Sequence, residues 1–130
     1  MEDKICLDTD ILVNFLRNKK EEVDYIQKHE GKVIFATTSI NIFELYYGAY
    51  KSGRRENLMK LEELQQRLRI LPSSTEAMKK AGEILALLEK QGQPLDFRDL
   101  LIGSIALTEQ FSLKSNNQKH FQRIPNIILV

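Results

Sequence analysis

Four short strand-like runs, alternating with segments of helical spacing, restrict this chain to a small set of architectures. They are Ile5-Cys6-Leu7, Val33-Ile34-Phe35-Ala36, Phe111-Ser112-Leu113 and Ile127-Ile128-Leu129-Val130. Nearly solid apolar runs mark strands covered on both faces, as in parallel sheets whose crossover helices pack above and below. After the first run, Ile11, Leu12, Phe15 and Leu16 recur at i, i+1, i+4 and i+5, which predicts a helix. Glu21–His29 reads as a second, short helix ended by Gly31, and Thr37-Thr38-Ser39 as a turn. Ile40–Tyr50 is apolar around most of its circumference, predicting a helix buried on two sides, and Leu58, Leu61 and Leu64 stripe a helix over Glu56–Arg67. The Ile70-Leu71 run stops at Pro72. Ser73-Ser74-Thr75-Glu76 predicts a capping box with Ser73 as cap and Glu76 reaching back, opening a helix to about Gln91. A further helix is expected over Asp99–Glu109. The expected fold is α/β with a mainly parallel sheet, in a single domain spanning residues 1–130, because no repeat, low-complexity segment or linker divides the chain.

Charge narrows the partners. Nineteen basic and 18 acidic residues give a formal charge of +1, so any nucleic-acid binding must be local and not a bulk electrostatic effect. Lys51-Ser52-Gly53-Arg54-Arg55 offers phosphate contacts, or is simply a solvated turn between helices. The single cysteine, Cys6, lies inside an apolar run and reads as a buried structural thiol. The charged start Met1-Glu2-Asp3-Lys4 is unlike a signal sequence, and no apolar stretch of about 18 residues follows. No membrane association and a cytoplasmic location are therefore expected.

Three acids carry the candidate chemistry. Asp8 closes the first strand, where open α/β sheets place their ligands, though an Asp between strand and helix also serves as an N-cap. Glu44 lies between Phe43 and Leu45 on a largely apolar helix, a costly position unless the carboxylate is paired with an Arg or Lys, exposed, or bound to metal. Asp99 opens an apolar helix beside the small residues Gly103, Ser104 and Ala106, with Asp96 three residues earlier in the N-cap position. Each acid alone has an ordinary explanation. Converging, two carboxylates about 4 Å apart repel by roughly 4 kcal/mol at an effective dielectric of 20, and a divalent cation relieves that conflict. An oxygen-only ligand set without His or Cys selects Mg²⁺ or Mn²⁺ over zinc.

Four segments together carry a family resemblance: Leu7-Asp8-Thr9-Asp10-Ile11-Leu12, Glu44-Leu45-Tyr46-Tyr47-Gly48, Asp99-Leu100-Leu101-Ile102-Gly103-Ser104-Ile105-Ala106 and Ser115-Asn116-Asn117-Gln118-Lys119-His120-Phe121. In order and spacing they resemble the motifs of PIN-domain nucleases along nearly the whole chain, most closely the compact VapC-type toxins of VapBC toxin–antitoxin systems. The resemblance implies a three-layer α/β/α fold and an endoribonuclease that hydrolyses RNA phosphodiester bonds. It implies catalytic and metal-binding roles for Asp8, Glu44 and Asp99, with Asp96 as a further metal ligand. It also implies an antitoxin protein partner and a homodimer, with Tyr46, Tyr47 and Tyr50 available to such a surface or to core packing. Thr9, Ser39 and Ser115 carry hydroxyls suited to positioning phosphate or water, or to turn and cap bonds. Many relatives have an Asp where this chain has Asn117, whose amide can orient a ligand but supplies no negative charge. His120 is expected to face RNA or solvent, or to pack beside Phe121.

Two other readings remain open on the residues. Asp8-Thr9-Asp10 resembles the paired aspartates of haloacid-dehalogenase-like phosphatases, with Thr38 and Lys114 in the next two roles, although Leu12, Asn116 and Asn117 depart from that pattern. A catalytically degenerate PIN domain that only binds RNA or protein is the second.

Overall fold

The computed structural model describes residues 3–130; Met1 and Glu2, read from the sequence as part of a charged start, lie outside the described residues. In chain order the elements are β1 (Asp3–Leu7), α1 (Thr9–Leu16), α2 (Lys20–His29), β2 (Val33–Thr38), α3 (Ser39–Ser52), α4 (Arg55–Gln66), β3 (Arg69–Leu71), α5 (Thr75–Lys90), α6 (Phe97–Thr108), β4 (Ser112–Lys114) and α7 (Gln118–Phe121). The four strands form one sheet in the order β3-β2-β1-β4, and every pairing is parallel. The register sets Ile5 beside Phe35 and Ser112, and Cys6 beside Ala36 and Leu113.

Alternation along the strands feeds two cores. Ile5 and Leu7 project to one face, where Ile11, Leu12, Ile26, Leu45, Ala49, Leu61 and Leu64 from α1 to α4 bury them. Cys6, Ala36, Leu71 and Leu113 project to the other, against α5 and α6, with Phe121 and Ile124 closing its end. This is a three-layer α/β/α fold, and it explains why the strands read as nearly solid apolar runs: each face has its own helical cover. Burial also raises the Cys6 thiol well above its ordinary range, with the Asp8 charge adding to the effect.

The structure departs from the sequence expectation in several places. Thr37 and Thr38 complete β2 instead of forming a turn, because Thr37 donates its hydroxyl to the Leu7 carbonyl and Thr38 caps α3. The cap of α5 is Ser74, whose hydroxyl accepts from the Ala77 N–H; Ser73 sits one residue too early and bonds Ser39 instead. Ile127–Val130 is not a buried strand. It touches the sheet through a parallel bridge from Leu129 to Leu113, and Ile128 and Val130 stay exposed. The helix α3 is not buried on two sides either: Phe43, Tyr47 and Tyr50 are exposed, and it is Tyr46 that packs, donating to Gln65 at 2.7 Å.

Candidate active site

The chain runs from β1 outward to β2 and β3, then returns to lay β4 on the opposite side of β1. Strand order therefore reverses between β1 and β4, and a crevice at the carboxyl ends of those strands is the expected ligand position in an open α/β sheet. Asp8 follows β1 directly and Ser115 follows β4, tied together by the Asp8 N–H donating to the Lys114 carbonyl at 3.0 Å.

Asp8 both caps a helix and gathers side chains from three other parts of the chain. Its Oδ1 accepts from the Thr9 N–H at 2.8 Å, opening α1, and also from Asn41 Nδ2 at 2.9 Å and Arg98 Nη2 at 3.1 Å. Its Oδ2 accepts from the Ser115 hydroxyl at 2.8 Å. Glu44 projects from the first half of α3; Thr9 donates to its Oε1 at 2.7 Å, and Arg98 Nε donates to its Oε2. Asp99, in the first turn of α6, accepts from Arg98 Nη1 on Oδ1. Its Oδ2 lies 3.4 Å from Asn117 Nδ2 and 3.3 Å from His120 Nδ1.

The structure thus brings Asp8, Glu44 and Asp99 onto one guanidinium. Arg98 lies 54 residues from Glu44 and 90 from Asp8 in sequence, so only the fold assembles this group. Burial raises the Asp99 carboxyl above its ordinary value; Arg98 and His120 pull it back, while the charges of Asp8 and Asp96 push it further up. For Arg98, burial opposes the charged form, but the bond to Glu44 and the charges of Asp8, Glu44 and Asp99 prevail and hold it above the ordinary arginine range.

The other sequence candidates divide. Thr9, Ser115 and Asn117 all lie in the cluster, as donors to Glu44, Asp8 and Asp99 respectively. Asp96 occupies the N-cap position of α6, is exposed and makes no side-chain cap bond; its charge reaches Asp99 without its carboxylate joining the group on Arg98. Ser39 bonds Ser73 away from the acids. His120 is half-exposed and turned to Asp99, neither packed nor free.

Two residues escaped the sequence reading. Asn41, wholly buried, accepts from Thr38 N and Oγ1 and donates to Asp8 and Thr9, locking the start of α3 to the start of α1. Its signal was its position three residues before Glu44, on the same helical face. Arg98 is the pairing partner that a glutamate on an apolar helix calls for, and it stood beside Asp99 in the sequence.

A family model described as PIN domain matches residues 5–127. The chain belongs to the PIN domain family. This PIN domain is 38% identical over 126 residues to a protein named Ribonuclease VapC2 from Rickettsia felis, covering 95% of this chain and 93% of that one. It is 32% identical over 123 residues to a protein of Shigella flexneri named tRNA(fMet)-specific endonuclease VapC, covering 93% and 92%. Its fold superposes on the crystal structure of VapBC2 from Rickettsia felis bound to a promoter DNA fragment with a TM-score of 0.89 at 34% identity, covering 98% of this chain and 97% of that chain.

As arranged here, no three His, Cys, Asp or Glu side chains among the described residues form a ready-made metal cage. The chemistry of the donor set nevertheless fits a hard divalent ion: three carboxylates, oxygen donors only, already aimed at one cation.

Proposed function

We propose that this PIN domain is an Mg²⁺- or Mn²⁺-dependent endoribonuclease and the toxin of a toxin–antitoxin pair, with Asp8, Glu44 and Asp99 holding the metal. The observation that carries the proposal is the convergence of three carboxylates, from the residue after β1, from α3 and from α6, on a single cation at the carboxyl edge of the sheet. The names of the VapC relatives support an RNA substrate and the VapBC structures an antitoxin partner; the homodimer in this reading rests on the motif resemblance alone. A bound divalent ion supplies Lewis acidity toward phosphate and a water of lowered pKa. The chain's own residues orient the acids: Ser115 and Asn41 fix Asp8, Thr9 fixes Glu44, and Asn117 and His120 flank Asp99. Asn117 provides an amide in place of further negative charge. Among the described residues no helix is long and apolar enough to cross a membrane.

The phosphatase reading is disfavoured by Lys114, whose ammonium lies 4.2 Å from the centroid of the Tyr25 ring instead of meeting Asp8, and by Thr38, whose hydroxyl donates to Asn41. The decisive experiment is incubation of total cellular RNA with Mg²⁺ or Mn²⁺ and wild-type, Asp8→Asn or Asp99→Asn protein. Cleavage by wild type, lost on chelation and in both variants, is the expected result. Cutting that survives in both variants removes these acids from the reaction, and intact RNA with all three proteins favours a domain that only binds.

A further inference from the structure

Each of the three acids turns one oxygen to Arg98 and the other to neighbouring side chains, and the Arg98-facing oxygen of Asp8 also accepts from the Thr9 N–H and Asn41 Nδ2. Asp8 Oδ2, Glu44 Oε1 and Asp99 Oδ2 face Ser115, Thr9, and Asn117 with His120, whereas Asp8 Oδ1, Glu44 Oε2 and Asp99 Oδ1 all face Arg98. The first set is held by groups that stay in place whatever cation is present. Among the described residues Glu44 Oε2 and Asp99 Oδ1 meet only the nitrogens of Arg98, and that guanidinium brings one charge to three carboxylates.

We infer that Arg98 is a resident counter-ion of this cluster: it holds Asp8, Glu44 and Asp99 together in the metal-free protein and competes with the divalent cation for the same oxygens. The inference rests on the proposal that these acids hold metal. A divalent ion and a guanidinium gathered on the same three oxygens would repel each other across a few ångströms, so binding of either one opposes the other. Arg98 has a way out. Its side chain is 32% exposed and it stands in the first turn of α6 next to Phe97, which is 66% exposed. When the guanidinium leaves, the oxygens bonded to Ser115, Thr9 and Asn117 keep the carboxylates in place for the incoming ion.

Mn²⁺ binding by titration calorimetry to wild type, Arg98→Gln and Arg98→Lys, with melting curves in chelator and in Mn²⁺, tests this without reference to cleavage. Arg98→Gln is expected to bind Mn²⁺ about tenfold more tightly, the effect of losing one charge-assisted competitor. It is also expected to melt lower than wild type in chelator and to gain more from Mn²⁺. Arg98→Lys, a point charge unable to bridge three acids, should fall between the two. Wild-type binding with equal or weaker affinity in both folded variants overturns the role of Arg98 alone, and Arg98→Lys decides it if Arg98→Gln does not fold. Failure of all three proteins to bind Mn²⁺ overturns the metal reading of the acids along with it.

Discussion

Ser115 donates a 2.8 Å hydrogen bond to Asp8 Oδ2 across 107 residues of chain, joining the ends of β4 and β1 at the point where the strand order reverses. Both residues are buried, so no water replaces the donor at full strength. Ser115→Ala should cost about 2 kcal/mol, the range for a hydrogen bond to a charged acceptor. Urea unfolding in chelator checks this: the midpoint should fall at constant m, and an unchanged midpoint would show that the bond contributes nothing.

Asn41 delivers an amide N–H to Asp8 Oδ1, where a carboxylate would repel. Asn41→Asp keeps the shape and the Oδ1 acceptor for Thr38 but sets two acids face to face, a conflict of up to roughly 4 kcal/mol at about 4 Å. At neutral pH Asn41→Asp should be less stable than wild type, and Mn²⁺ should restore part of the loss. Equal stability in chelator would mean that Asn41 and Asp8 are not coupled as their geometry states.

Asp10 accepts from the backbone N–H groups of Ile11 and Asn116, and has no bond to the Arg98 cluster among the described residues. Burial raises its carboxyl above the ordinary aspartate value and the Asp8 charge adds to the rise, against the lowering effect of the two N–H donors and Arg98. A carboxyl raised on folding binds its proton more tightly in the fold than in the unfolded chain. Its contribution to stability is therefore greatest below the ordinary value, and is lost as pH rises through the raised one. Relative to wild type, Asp10→Asn should gain stability from about pH 4 upward until Asp10 is fully ionised, and the difference should then level off. A difference independent of pH contradicts the raised value. The same variant should still cleave RNA, whereas a phosphatase built on Asp8-Thr9-Asp10 would be dead.

Gly103 sits on α6 where a Cβ would overlap Ile124 Cδ1, with Ile127 and Phe121 in ordinary contact beside it. Ile124 and Phe121 are buried, so their side chains have little room to give. Gly103→Ala should destabilise by about 1–3 kcal/mol despite the better helix propensity of alanine. A thermal midpoint at or above that of wild type would show that this end of the core repacks freely.

Local information went far with this chain because its strands are short, nearly solid apolar runs and its helices carry their own periodicity. Ile5-Cys6-Leu7 and Val33–Ala36 determined two central strands, and the apolar spacing of Leu58, Leu61 and Leu64 determined α4. The acids were visible for a related reason: Asp8 ends an apolar run, Asp99 opens one and Glu44 interrupts one, where an unpaired charge is expensive. Failures came where neighbours decide. Ser73 and Ser74 offer the same hydroxyl, and only the path of the backbone into α5 selects Ser74. Ile127–Val130 has strand composition, but burial requires a covering layer, and α7 and the following turns leave Ile128 and Val130 exposed. Tyr46 and Tyr47 are adjacent and chemically equivalent, yet rotation by one helical step sends one into the core and the other into solvent. Arg98 is the clearest case. Its charge and its place beside Asp99 are written in the sequence, but contact with residues 54 and 90 positions away exists only once β1, α3 and α6 are stacked at one edge of the sheet, since an ion pair is a fact of distance and not of order along the chain.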